Sequence, residues 1–333
     1  MATLSSNALT LADWAKRLDP EGKVPSIVEL LAQTNEILSD MLWLEGNLPT
    51  GHRTTVRTGL PTVAWRLLNQ GVQPSKSTTA QIDEQCGMLE AWSEVDVELA
   101  KLNGNTAAFR LSEAQAFIEA MNQEMASTLF YGNSSLSPEE FTGLSIRYSS
   151  LSAANGQNIL NAGGSGSDNA SVWLVCWGSQ TLHGIFPKGS KAGLVHEDLG
   201  EQTIETSAGI AGTRMRAYQD HWSWKCGVAV KDWRYAVRIA NIDVSNLVAK
   251  SSAADLIEQM IKATHRIPAL GMGKCAFYMN RTVKQMLDIQ RRDDVQTGGS
   301  LIYSEVDGKL IPSFRGIPIR TVDALLETEA TVS

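Results

Sequence analysis

The pattern of apolar and polar positions divides the chain into segments of different character. From Thr10 to Trp43 the spacing predicts a helix, a break and a second helix. Thr10 caps a turn carrying Leu11, Trp14 and Leu18, and Pro20, Gly22 and Pro25 interrupt it. Ser26 then caps a longer run with Ile27, Leu30, Leu31, Ile37, Leu38, Met41 and Leu42 on one face, stopped by Gly46, Asn47 and Pro49. From Thr50 to Asp96 the chain is rich in Thr, Ser, Gln and Gly and poor in large apolar residues. His52 to Leu68 and Ser77 to Val95 are strand-like, and the turn signal Asn69-Gln70-Gly71-Val72-Gln73-Pro74 joins them into a long hairpin. Such a hairpin cannot bury a core of its own. Next comes the strongest helical pattern, Ser112 to Tyr131. It has a capping-box pair, Ser112 and Gln115, a stripe of Ala114, Phe117, Ile118, Met121, Met125 and Leu129, and Gly132-Asn133 as its stop.

Beyond a polar stretch, Ser149 to Ser171 with the Gly-rich tip 163–167, the period changes to two. Val172 to Trp177 is densely apolar, and Gln180 to Phe186 is expected to return beside it through Gly178-Ser179. Arg214 to Lys225 and Val228 to Ile239 alternate, with Trp222 and Trp224 on one face and Trp233, Tyr235, Val237 and Ile239 on another. The last segment mixes helices and strands. Ser252 is expected to cap a helix with Leu256, Ile257, Met260 and Ile261 that halts before Pro268. Cys275 to Met279 is a short strand, and Asn280 caps a helix with Val283, Met286, Leu287 and Ile289. No internal repeat is visible. Strand runs and helices that do not alternate regularly predict an α+β fold.

Composition narrows the functions available. The chain of 333 residues is 43% hydrophobic and 20% charged. That is ordinary globular composition and can bury a sizeable core. A net charge of −7 disfavours a nucleic-acid binder, which needs clustered Lys and Arg. The hairpin is two-signed: Arg53, Arg57 and Arg66 stand on its first arm, and Asp83, Glu84, Glu90, Glu94 and Asp96 on its second. It can pair with itself or with a neighbouring copy. No secretory leader and no apolar run near ~20 residues is present, so no membrane partner is expected. Cys86, Cys176, Cys226 and Cys275 form no CxxC pair and read as reduced, mostly buried thiols, although spacing alone leaves a disulfide open.

No catalytic constellation emerges. The Gly-rich tip lacks the Lys-Ser/Thr of a phosphate loop, and Gly271-Met272-Gly273-Lys274-Cys275-Ala276 follows a helix and a proline, not a strand. No Gly-x-Ser-x-Gly elbow exists. His52, His183, His196, His221 and His265 lack metal-ligand spacing. His196 with Glu197 and Asp198 reads as a solvated loop before it reads as a metal site, and His221 as structural. Trp222 and Trp224 suit packing, within or between subunits, more than ligand stacking. The expected lists of catalytic residues, metals and cofactors are therefore empty.

Taken in order, these segments resemble the major capsid proteins of tailed bacteriophages, with the Hong Kong 97-type fold. More closely, they resemble those of short-tailed phages of the epsilon fifteen and Bordetella phage type. The resemblance is carried by Asn47-Leu48-Pro49-Thr50-Gly51-His52-Arg53-Thr54-Thr55-Val56-Arg57-Thr58-Gly59-Leu60-Pro61, by Gly184 to Leu194, by Tyr278-Met279-Asn280-Arg281-Thr282 and by the closing Ser313-Phe314-Arg315-Gly316-Ile317-Pro318-Ile319. It implies an N-terminal arm over 1–48, an E-loop hairpin over 49–100, a peripheral domain over 101–243 with spine helix 112–131, and an axial domain over 244–333. The β-block at 172–240 follows the spine helix directly, which implies a rearranged strand order in the peripheral sheet. The implied function is self-assembly into pentamers and hexamers of an icosahedral head around double-stranded DNA, with no enzymatic activity. Arg53, Arg57, Arg66, Lys76, Leu38 and Met41 are the expected inter-subunit contacts. A decoration or cement protein, a scaffolding protein and a portal are the expected partners, and DNA is met by proximity only. Lys76, the only Lys of the hairpin, is weak grounds for a covalent cross-link, and no cleaved N-terminal segment is expected ahead of the arm. The alternatives are a tail-tube or decoration subunit, or an α+β enzyme with an unfamiliar site.

Overall fold

A computed structural model of the chain describes Leu9, Asp13 and residues 32–102, 106–205, 214–293, 301–306 and 309–333. The first predicted helix, apart from Asp13, and the start of the second, with Thr10, Leu18, Ser26 and Leu30, lie outside the described residues. In chain order the elements are α1 (Ile37–Asp40), β1 (Trp43–Glu45), β2 (Gly51–Gly59), β3 (Thr78–Gln85), β4 (Gly87–Asp96), α2 (Val97–Lys101), α3 (Thr106–Tyr131), α4 (Leu144–Arg147), β5 (Ile159–Asn161), β6 (Asn169–Trp177), β7 (Leu182–Phe186), β8 (Leu194–Glu205), β9 (Arg214–Val230), β10 (Ala236–Asp243), α5 (Val244–Ala249), α6 (Leu256–Arg266), β11 (Lys274–Met279), α7 (Arg281–Asp293), β12 (Leu301–Val306), β13 (Lys309–Phe314) and β14 (Ile317–Thr321). The chain divides into two units: residues 1–35, 88–127 and 193–225, and residues 36–87, 128–192 and 226–333. The boundary expected at 243–244 falls inside the second unit, and the division cuts α3 and β9.

In the first unit, β8 runs antiparallel to β9 from Leu194 opposite Trp224 to Glu205 opposite Arg214, and β4 lies along the other side of β9. A register shift between Asp198 and Gly200, with Gly200 at φ +69, makes a bulge. Val95, Ala100 and Phe109 form a small core with Tyr218 packed against it. The Phe117 ring of the long helix stacks on Trp222 at 5.1 Å. That helix begins at Thr106, earlier than the capping box implies. Ser112 sits inside the helix, and its hydroxyl donates to the Phe109 carbonyl at 2.8 Å. A serine in mid-helix satisfies its hydroxyl in this way, on a carbonyl one turn back. The correction has a simple cause: Ser and Gln at that spacing also fit a helix interior when good helix formers, here Ala107, Ala108, Arg110 and Leu111, stand before them.

The second unit is built around β6, all nine of whose residues are buried. It is flanked by β10 and β11, both antiparallel. Its two faces and both edges are covered, so the sequence reads as a continuous apolar run. From β11 the sheet continues through β14 (parallel), β13 and β12. The β13–β14 turn has Arg315 at φ +52 and Gly316 at φ +82, the two left-handed residues of a tight hairpin. The last segment of the chain thus shares a sheet with β6, β7 and β10.

Several expectations are revised here. β7 does not return beside β6 as a hairpin. It meets β6 only at Trp177–Leu182, in parallel, and pairs instead with the end of β9 and with β1. Trp233 to Tyr235 is a short 3₁₀ turn, so those aromatics do not extend a strand face. The cap of α6 is Asp255, which accepts from the Glu258 amide at 2.9 Å, and not Ser252. A side-chain oxygen at that position satisfies an amide the helix leaves open. Cys176 and Cys275 stand opposite each other on β6 and β11 and form a disulfide, where reduced thiols are expected from the sequence. Only the register brings these two together, since they lie 99 residues apart. Asn280 does cap α7, accepting from the Thr282 amide at 2.9 Å.

Two buried ionic clusters tie distant segments to this sheet. Arg238 on β10 and Glu329 near the C-terminus, both 5% exposed in their side chains, pair at 2.8 Å. Ser171 and Tyr131 donate to the same Glu329 carboxylate. Asp40, 2% exposed, receives Lys274 at 2.5 Å, Arg320 at 3.1 Å and the Tyr278 hydroxyl at 3.2 Å. Because each carboxylate faces an opposite charge, such clusters tolerate burial, and removing one member leaves an unpaired charge.

Candidate intersubunit surface

The second strand-rich segment supplies the surface. β2 and β3 pair antiparallel from Gly51 opposite Gln85 to Gly59 opposite Thr78, as a sheet of their own. The pairing is shorter than the strand-like pattern implies, and residues 60–77 form no strand. The acidic arm is also shorter. Asp83 and Glu84 lie on β3, but Glu90, Glu94 and Asp96 lie on β4, which joins β9 in the first unit. A run of strand-like residues cannot show where one strand stops and the next sheet begins.

The root of the hairpin is held firmly. Glu84 is buried and accepts from both terminal guanidinium nitrogens of Arg147, at 2.7 and 2.5 Å. Asn47 accepts from the Arg53 amide at 2.7 Å and donates to its carbonyl at 2.8 Å. Gly51 lies so close to the Glu84 carbonyl that a Cβ there would stand 1.9 Å from the oxygen. Only a residue without a side chain permits this approach of two backbones.

Away from the root, burial ceases. Every residue from 60 to 83 is exposed. Arg53 pairs with Asp83 across the strands at 2.6 Å, and each side chain is half-exposed. The salt bridge holds the Asp83 carboxyl below its ordinary value through the Arg53 hydrogen bond. Arg57 faces Thr79, and Arg66 and Lys76 stand in the tip; none of the three has an ion-pair partner among the described residues. The tip also carries large apolar side chains that the sequence pattern left unassigned: Leu60 at 81% exposed, Val63 at 88%, Trp65 at 105% and Leu68 at 90%. The signal was present as five large apolar residues between Gly59 and Asn69 without periodicity (Leu60, Val63, Trp65, Leu67, Leu68), a pattern that buries no face of a helix or strand. A monomer gains nothing from such a cluster, and exposed apolar groups of this size mark a contact surface.

The other expected contact residues separate. Leu38 is partly exposed, but Met41 is 6% exposed and belongs to the interior of the second unit, next to Ile37 at 0%. The end of the predicted arm helix is thus part of the subunit core. Among the described residues its helix is only Ile37–Asp40, and Trp43–Glu45 beyond it pairs in parallel with β7. The triplet His196, Glu197 and Asp198 does not converge. Asp198 is bonded to Arg110 at 2.7 Å, while His196 contacts Asp220 at 3.0 Å and stacks on Trp222. His221 stacks on Trp92 at 4.2 Å, a packing role. No group of three or more His, Cys, Asp or Glu suited to a metal ion occurs among the described residues. None of the described helices is long and apolar enough to cross a membrane.

The hairpin thus combines a bonded root with exposed arginines and bare apolar groups, and comparison with known proteins gives the chain its class. A solved structure of bacteriophage Epsilon15 is 36% identical, with 100% of this chain and 99% of that one covered and a TM-score of 0.78. The chain is a shell-forming subunit with the Hong Kong 97-type α+β capsid fold. A family model described as major capsid protein GP7 matches residues 19–333, and the chain belongs to that family. It is a major capsid protein of a phage head, self-associating, and resident in the virion shell. The capsid of a native GTA particle (10% identity, 68% of this chain and 95% of that one, TM-score 0.47) is also matched. So is the holo-SrpI encapsulin complex of Synechococcus elongatus (13%, 71% and 97%, 0.44). No curated protein matches the chain. The family assignment sets aside the tail-tube and decoration alternatives and gives the chain a structural role.

Proposed function

We propose that this subunit forms the pentamers and hexamers of an icosahedral head around double-stranded DNA, and that its hairpin 51–85 lies over a neighbouring copy. The observation that carries this reading is the tip, where Leu60, Val63, Trp65 and Leu68 are all more than four-fifths exposed. Covering a side chain of this kind gains about 1.5–3 kcal/mol. A cluster of them can hold a neighbour, while Arg57, Arg66 and Lys76 choose where it docks by charge. Leu38, partly exposed, is retained as a contact. Met41 is not, because it is spent inside the subunit. In this reading the first unit, with most of the long helix and the β8–β9 ribbon, serves as the peripheral part of the fold, and the sheet around β6 as the axial part. Of the arm expected over 1–48, residues 36–45 belong to the core of the second unit in this reading. The chain acts without catalysis, and DNA is met by proximity.

Scaffolding, portal and decoration proteins are the partners such a head needs, and the net charge of −7 suits an inner face that does not grip DNA. Deleting residues 67–76 tests the assignment: the expected product is a folded subunit that forms no shells in electron micrographs. Normal shells from that variant would overturn the hairpin's role.

A further inference from the structure

We propose that His52 and His183 form a proton-sensitive catch at the root of the hairpin, two neutral rings that hold β2 against β7 and release it on acidification. His52 is the second residue of β2, and His183 lies on β7 within the central sheet of the same unit. Their rings meet edge to face, centroids 5.7 Å apart and planes at 81°. His183 has no exposed surface, and neither of its ring nitrogens has a hydrogen-bond partner, nor has Nδ1 of His52. A buried imidazole without partners is tolerable only while uncharged.

The charged groups around the pair act in one direction. Lys231, just past β9, repels a proton on either ring. Glu84 on β3 is the opposing charge near His52, but its two oxygens are already bonded to Arg147 of α4. Burial, then Lys231, then His52 lower His183 to about 4, against a smaller upward pull from the Gly178 backbone. Burial and Lys231 likewise lower His52. A histidine depressed in the closed form takes up protons on opening. The catch is therefore intact above the ordinary histidine value of about 6.5 and weakens as pH falls from there toward 4. Charging both rings would also set two like charges edge to face.

The test is hydrogen–deuterium exchange of the full-length chain at pH 7.5 and pH 5, corrected for intrinsic rates, read in peptides from β2 and β3. Linkage sets the expected rise in opening at about ten- to thirtyfold, with peptides from β6 and β10 unchanged. His183→Leu should remove most of the pH dependence, leaving the smaller part that His52 contributes. No acceleration in the wild type, or the same acceleration in the variant, overturns the catch. Should His183→Leu fail to fold, exchange of the histidine C2 protons in the wild type decides: titration of His183 well below about 6.5 supports the proposal, and titration near that value sinks it.

Discussion

The strand β6 and the hairpin tip use the same kinds of residue in opposite ways. Trp173, Leu174, Val175 and Trp177 are at most 2% exposed, whereas Leu60, Val63, Trp65 and Leu68 are at least 81% exposed. The difference lies in what surrounds them. β6 is paired on both edges and covered by rings such as Phe130 and Tyr148, 6.0 and 5.7 Å from Trp173. Among the described residues the tip has no chain of its own to meet. The subunit thus carries two apolar inventories, one that folds it and one that, in the proposed reading, another copy completes. Stability should respond to the first and assembly to the second.

The sharpest break in that comparison is Glu329→Ala. It leaves Arg238 buried beside Trp173 without its counterion, a loss of about 3–5 kcal/mol. Chemical denaturation of the isolated subunit should show it, and a midpoint within error of wild type would mean the cluster is not closed as described. Met41→Asp comes next, placing a charge where the side chain is 6% exposed. A buried charge without a partner costs several kcal/mol. If that variant kept its stability and lost only assembly, Met41 would belong with the tip after all.

Trp65→Ser combined with Leu68→Ser should do the reverse. The thermal midpoint stays within about 1 °C, because exposed substitutions rarely move stability by more than ~0.5 kcal/mol. Shell yield, read by sedimentation, falls. Unimpaired shells would leave the exposed cluster without a role. The smallest effect is expected at Lys76→Ala. Denaturing electrophoresis of mature particles should show one monomer band with or without the substitution. A ladder of covalent multimers that vanishes in the variant would make the hairpin a chemical as well as a physical link.

Legibility followed locality. The long helix, the strand at Cys275 to Met279 and the cap at Asn280 were readable because each depends on residues a few positions apart. The same reasoning put Glu90, Glu94 and Asp96 on the hairpin, made a helix cap of Ser112 and placed the end of the arm on a neighbour. In each case a local pattern was sound but its partner was elsewhere. The tip residues were present in plain view, yet apolar residues without a period say only that they do not belong to a regular face.

By itself the sequence determined the element types, the hairpin, the want of catalytic motifs and, through its ordered segments, the resemblance to phage capsid proteins. Tertiary structure alone decided that Cys176 meets Cys275, that Asp40 joins residues 36–41 to β11 and β14, and that Glu329 reaches Arg238 from 91 residues away. The reason is physical. Periodicity and capping are set by neighbours along the chain, whereas strand register and buried ion pairs are set by which segments share a sheet, and a shift of one residue in that register exchanges every inward side chain for an outward one.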